Sequence, residues 1–192
     1  MFEHCTWLNE PASWRIDEGR LEVTTDHGTD FWRETHYGFI RDNGHFLAYA
    51  TDGDFTAELK VRGNYTELYD QAGMMVRIDA EHWVKAGIEL TDEVPGLGSV
   101  LTLQRSDWAT GIFAGDPREF WIRATVANGV LKLQSSIDGR VWPTLRLAVF
   151  PKAARYLVGP MCCTPERAGL KVMFSDFRVG PALEKGLHDL SY

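Results

Sequence analysis

No stretch of this chain approaches the roughly 20 apolar residues that a membrane-spanning helix needs, so no membrane partner is expected. Positive charge is also short. Twenty Lys and Arg stand against 27 Asp and Glu over 192 residues, a net charge of −7, which removes the broad basic footprint of a nucleic-acid or anionic-lipid binder. Cysteine is scarce. Cys5 and the adjacent Cys162 and Cys163 are an odd number with a vicinal pair, a poor disulfide framework that reads as free thiols in a reducing compartment. The opening MFEHCTWLNEP has an acidic residue where a leader is positive and no apolar segment; the expected location is the cytoplasm.

Chemical signatures are equally sparse. The P-loop, the dinucleotide fingerprint, HExxH and the EF-hand spacing are all missing, so neither a cofactor nor a metal is expected. No Ser or Cys sits in a nucleophile elbow, and no Glu-x-Asp-x-x-Glu run sets paired carboxylates on one strand face. Helical spacing with caps is not sustained over ten residues anywhere before the tail.

What is present is alternation. About a dozen short runs with a period of two are separated by turn signals such as Asn43-Gly44, Asp52-Gly53, Asn128-Gly129 and Asp138-Gly139, which predicts an all-β fold, a two-sheet antiparallel jelly-roll sandwich. One domain over 1–192 is expected, with 180–192 a short tail that is helical or loose. The segment 29–45 shows no period and reads as a loop, as does Pro95-Gly96-Leu97-Gly98.

The central run DQAGMMVRIDAEHWVKAGIE reads as two neighbouring strands. Met74, Val76, Val84, Ala86 and Ile88 take one face; Arg77, Trp83, Lys85 and Glu89 take the other. If the strand beginning at Phe120 lies alongside, Trp121 and Arg123 join that second face, with Gln134 and Ser136 as neighbours. Rings beside forked hydrogen-bonding groups suit a sugar. The plain alternative is a solvated ladder of cross-strand ion pairs. Asp70-Gln71 either orients a ligand or holds a turn, and Ser106-Asp107-Trp108 is either a rim contact or a turn. The loop residues Asp30, Trp32, Arg33, Thr35, Tyr37, Asp42 and His45 could close over the face or pack on themselves, with Asp30 paired to Arg33.

The segments TDFWRETHYGFIRDNGH, YDQAGMMVRIDAEHWVKAGIE, SVLTLQRSDW, FWIRA, SSIDGRVW and VGPMCCTP together resemble, over nearly the whole chain, the concanavalin A-like family named for regulation of enolase, a domain family of unknown function. The resemblance implies a lectin/glucanase-type sandwich. More distantly, DQAG, WVKAGIE, WIR and SSIDGRVW look like the concanavalin A-like module of some β-xylosidases, whose concave face meets sugar. That similarity implies a pocket of Asp70, Gln71, Arg77, Trp83, Lys85, Glu89, Arg123 and Trp142.

The expected function is a cytoplasmic binding domain for a carbohydrate or related polar metabolite, acidic in view of the local cations. Trp83 would stack, Arg77, Lys85 and Arg123 would donate, and Asp70, Gln71 and Glu89 would accept. Two alternatives stand beside it: a glycoside hydrolase or lyase using Glu89 or Asp70 with His45 or Tyr37, and a protein-interaction or regulatory domain.

Overall fold

The computed structural model describes residues 1–191. After a 3₁₀ turn at Phe2–His4, the strands are β1 (Thr6–Leu8), β2 (Ser13–Asp17), β3 (Arg20–Thr24), β4 (Phe31–Arg33), β5 (Ile40–Asp42), β6 (His45–Asp52), β7 (Phe55–Gly63) and β8 (Gln71–Arg77). There follow β9 (His82–Thr91), β10 (Val94–Leu103), β11 (Arg105–Ile112), β12 (Glu119–Ala127), β13 (Val130–Ser136), β14 (Thr144–Val149), β15 (Arg155–Cys163) and β16 (Lys171–Pro181). The front sheet has the order β1-β6-β15-β8-β9-β10-β11, the back sheet β14-β13-β12-β7-β16-β3-β2, and β4-β5 form a small third sheet. The fold is an all-β sandwich of two antiparallel sheets.

Alternation explains the layering. Phe55, Ala57, Leu59 and Val61 of β7 and Phe120, Ile122, Ala124 and Val126 of β12 meet Met74, Val76, Val84, Ala86 and Ile88 of the front sheet in one buried cluster. Each fully buried Leu, Ile, Val or Phe contributes about 1.5–3 kcal/mol, so this layer carries the fold. The hairpin turns follow the expected chemistry: Asn128 and Gly129, with φ of 53° and 79°, fit the left-handed positions of a two-residue turn.

Three sequence expectations are corrected. The segment 29–45 contains the β4–β5 hairpin, whose three-residue strands are too short to display a period. Pro95 to Gly98 lies inside β10, because Gly98 is a site of close approach: a Cβ there would stand 2.6 Å from the Ala109 carbonyl oxygen of β11. The tail does not begin at Gly180, which still pairs with Thr56; beyond it Leu183 N donates to Thr56 Oγ1 and Trp142 N to the Leu190 carbonyl, and Tyr192 lies outside the described residues. In β16 the register shifts between Ser175 and Arg178, with Asp176 at φ 53°. That bulge brings Phe177 onto the core face one residue out of phase with simple alternation.

Candidate functional site

The outer face of the front sheet is built from every second residue of its strands. Gln71, Gly73, Met75 and Arg77 of β8 lie opposite Glu89, Gly87, Lys85 and Trp83 of β9. Lys85 continues through Val100 of β10 to Trp108 of β11. Part of this face is roofed by the β4–β5 hairpin, which buries Phe31 and Trp32 in a second apolar cluster with Phe46, Met75, Trp83, Met161 and Cys163. Trp83 is 1% exposed, meets the Phe31 ring at 6.1 Å and donates its Nε1–H to the Ala80 carbonyl.

Ion pairs fasten the roof. Arg77 grips Asp42 through two bonds of 2.6 and 2.8 Å, Lys85 Nζ lies 3.0 Å from Asp30 Oδ1, and Arg33 reaches Glu81 Oε1 at 3.0 Å and the Gln104 carbonyl. Paired forks of this kind fix orientation as well as supply energy. Asp30 therefore pairs with Lys85 and not with Arg33.

Between the hairpin and the edge strand β11 a cleft of about 200 Å³ stays open. Trp32, Tyr37 and Phe39 form one wall, Tyr69 and Trp108 two others, and Gln71, Lys85, Glu89 and Val100 line the floor, with Asp30 beside Lys85. Tyr37 stacks on Phe39 at 5.3 Å and stands edge-on to Trp32 at 5.6 Å. Its hydroxyl is 3.4 Å from that of Tyr69. This hydrogen bond, with burial second, pushes the Tyr69 phenol up to about 12.

The floor is electrostatically uneven. Burial works to lower the Lys85 ammonium, but Asp30 is foremost among the neighbouring charges that more than offset it, so the group is raised and stays cationic. Its Nζ also donates to Gln71 Oε1 at 2.7 Å. Glu89 has no such support. Burial pushes its carboxyl up to about 7, with Lys85 pulling the other way and Asp30 adding to the rise.

Of the residues singled out in the sequence, Asp30, Trp32, Tyr37, Gln71, Lys85, Glu89 and Trp108 line this cleft. Others serve the frame. Asp70 is fully buried, caps the Thr66 and Glu67 amides and pairs with Arg167. Arg77 is consumed by Asp42, Trp83 is packed beneath the hairpin and presents no stacking face, and Arg33 points away to Glu81. His45 follows the core-side parity of its strand. Its Nε2 accepts the Asp26 amide at 3.0 Å, which leaves Nδ1 to donate to the Asn9 carbonyl at 2.8 Å. Hence Asp70 and His45 are not placed for acid/base work in the cleft.

Arg123 and Trp142 require the largest correction. Arg123 belongs to β12, and β12 pairs with β7 in the back sheet, so the sandwich core separates it from Lys85 and Trp83. There it bonds Glu58 at 2.8 Å and covers the Trp142 ring at 3.8 Å. Trp121, Gln134 and Ser136 sit on the same back sheet. With Arg77, Lys85 and Arg123 all matched by carboxylates, the surplus of cations behind the acidic-ligand expectation is gone.

Phe39, Arg41, Tyr69, Pro165 and Glu166 complete the cleft without having been singled out. Phe39 and Tyr69 could have been suspected as rings bracketed by turn residues. For Pro165 and Glu166 the sequence carried no signal. Among the described residues no group of three or more His, Cys, Asp or Glu is placed to hold a metal ion.

The chain is 56% identical over 186 residues, 97% of its own length and 94% of the relative's, to "Regulation of enolase protein 1" of Saccharomyces cerevisiae. A crystal structure of a functionally unknown S. cerevisiae protein superposes with a TM-score of 0.94 at 54% identity, covering 95% of this chain and 98% of that one. Three remoter structures share the fold alone. The GH43 protein BlXynB of Bacillus licheniformis gives a TM-score of 0.68 at 15% identity, over 95% of this chain and 38% of that one. The exoplasmic/lumenal domain of VIP36, in a Ca²⁺/Man₃GlcNAc-bound form, gives 0.54 at 9% identity over 98% and 88%. The VIP36 domain and a legume lectin-like domain of Entamoeba histolytica (TM-score 0.57 at 10% identity, over 94% of this chain and 91% of that one) place the sandwich among lectin-like, jelly-roll folds. Matched over residues 7–182, the chain belongs to the family described as "Protein of unknown function (DUF1349)".

Proposed function

We propose that this protein is a cytoplasmic carbohydrate-binding domain whose front cleft takes a sugar ring. The observation that carries the reading is the cleft itself, which sets the partly exposed rings of Trp108 and Tyr37, 43% and 49% exposed, around a floor of Lys85, Gln71 and Glu89. A pyranose has apolar C–H faces and a polar rim, so rings can cover the one while fixed donors and acceptors meet the other. The lectin-like neighbours support this at the level of fold. Stacking falls to Trp108 and Tyr37, and Glu89 takes the ligand's hydrogen-bond donors.

The test is an oligosaccharide panel followed in parallel by melting temperature and by product formation. A rise in Tm without turnover is the expected result. Turnover would favour the hydrolase or lyase alternative, and no response to any sugar would overturn the reading. A second reading, a protein-interaction or regulatory role, is supported by the name of the yeast relative; a cytosolic protein captured by the wild type and lost on Trp108→Ala would favour it.

A further inference from the structure

The cleft can be read further by asking which of its charges remain unspent. Arg41 and Glu166, opposite in sign, are both exposed at the rim, where water screens them. Inside, the Lys85 ammonium is matched by Asp30 at 3.0 Å and by Gln71 at 2.7 Å. Glu89 is left over. It faces the cleft from the floor, and among the described residues no hydrogen-bond donor reaches its carboxyl group. A half-buried carboxylate without a donor is costly, and a ligand that supplied one would relieve that cost. The surrounding rings also favour positive charge, since an ammonium is attracted to an aromatic face.

We propose that the cleft selects a cationic sugar, a hexosamine whose protonated amine is set against Glu89 while its ring lies on Trp108 and Tyr37. The inference rests on the sugar-binding reading above and adds the charge class of the ligand. It reverses the acidic ligand expected from the sequence, because the cations behind that expectation are all spent within the protein.

Recognition should depend on pH through Glu89. The charged or titratable groups lining the cleft with it are Lys85 on its own strand, Asp30, Tyr37 and Arg41 on and beside the hairpin, Tyr69, and Glu166. Lys85 stays cationic and the Tyr69 phenol is raised. Burial raises the Glu89 carboxyl to about 7.

The experiment uses the full chain, labelled with ¹⁵N, with shifts followed at the Trp108 indole N–H. Glucosamine, galactosamine and mannosamine are each titrated beside the N-acetyl counterpart, with glucuronate as the acidic member, at pH 7 and pH 5. A sugar amine is largely protonated at both values if it titrates near an α-amino group, at about 7.7–8.0, so a change between them reports on the protein. The expected result is at least one amine bound about tenfold tighter than its acetylated partner at pH 7, a difference of about 1.4 kcal/mol. That preference should shrink to about twofold at pH 5 and in Glu89→Gln, whose spectrum also verifies folding. Equal binding of amine and acetylated sugars, or tighter binding of glucuronate, overturns the charge selection and leaves sugar binding standing. No shift with any sugar overturns both.

Discussion

Asp42 and Arg77 are joined by two parallel hydrogen bonds of 2.6 and 2.8 Å, and this fork ties the roofing hairpin to the sheet beneath it. Arg77 is 6% exposed, so its charge relies on Asp42. Removing the carboxylate alone leaves a buried guanidinium unpaired, whereas removing both partners does not. Asp42→Ala should therefore cost about 2–4 kcal/mol in a denaturant melt. The double variant with Arg77→Met should recover most of that loss.

Trp83 and Trp108 both rise from the outer face of the front sheet, yet they should respond oppositely to truncation. Trp83 is buried under Phe31; Trp83→Ala opens a cavity and should lower stability by about 3–5 kcal/mol. Trp108 stands 43% exposed on the edge strand. Trp108→Ala should change stability by less than about 1 kcal/mol and weaken sugar binding about tenfold, as a lost stacking partner does. Paired chemical melts and titrations of the two variants separate the roles.

Glu89 should make stability fall as pH rises. Its ordinary value is 4.5 and the folded protein raises it to about 7, so between those limits the native state binds more protons than the unfolded chain. Its favourable contribution is complete below 4.5 and is lost as pH climbs through about 7. Glu89→Gln should match wild type near pH 4 and exceed it at pH 8 by about 1–2 kcal/mol, a figure reduced for screening in the open cleft. Urea melts across that range give the answer.

Gly87 and Gly73 lie opposite one another on the outer face of the front sheet, and neither has room for a side chain. A Cβ on Gly87 would stand 2.1 Å from the Ala72 carbonyl oxygen and 2.7 Å from Gly73 Cα, backbone atoms that cannot step aside. Gly87→Ala should lose about 2 kcal/mol or more. Gly111→Ala on the edge strand, where a Cβ meets nothing within 4 Å, is the control and should stay within about 0.5 kcal/mol.

Much of this arrangement was legible from residue order. Period two in β7, β8, β9 and β12 separates core-facing from outward-facing side chains correctly, and Gln71, Lys85, Glu89, Trp32 and Tyr37 do converge. The reading went astray where a residue's neighbour lay far along the chain. Arg123 does face outward, as alternation says, but outward from the other sheet. Arg77 and Asp42, 35 residues apart, cancel one another only once the hairpin folds down.

Sequence alone settled the all-β class and the face on which each strand's side chains emerge, because the pleat is a local property of successive residues. Tertiary structure decided which strands share a sheet, which charges are spent on one another, and hence that Glu89 and not Arg77 or Arg123 is left facing the cleft. Those outcomes depend on contacts between distant segments, and a period of two is the same in either sheet.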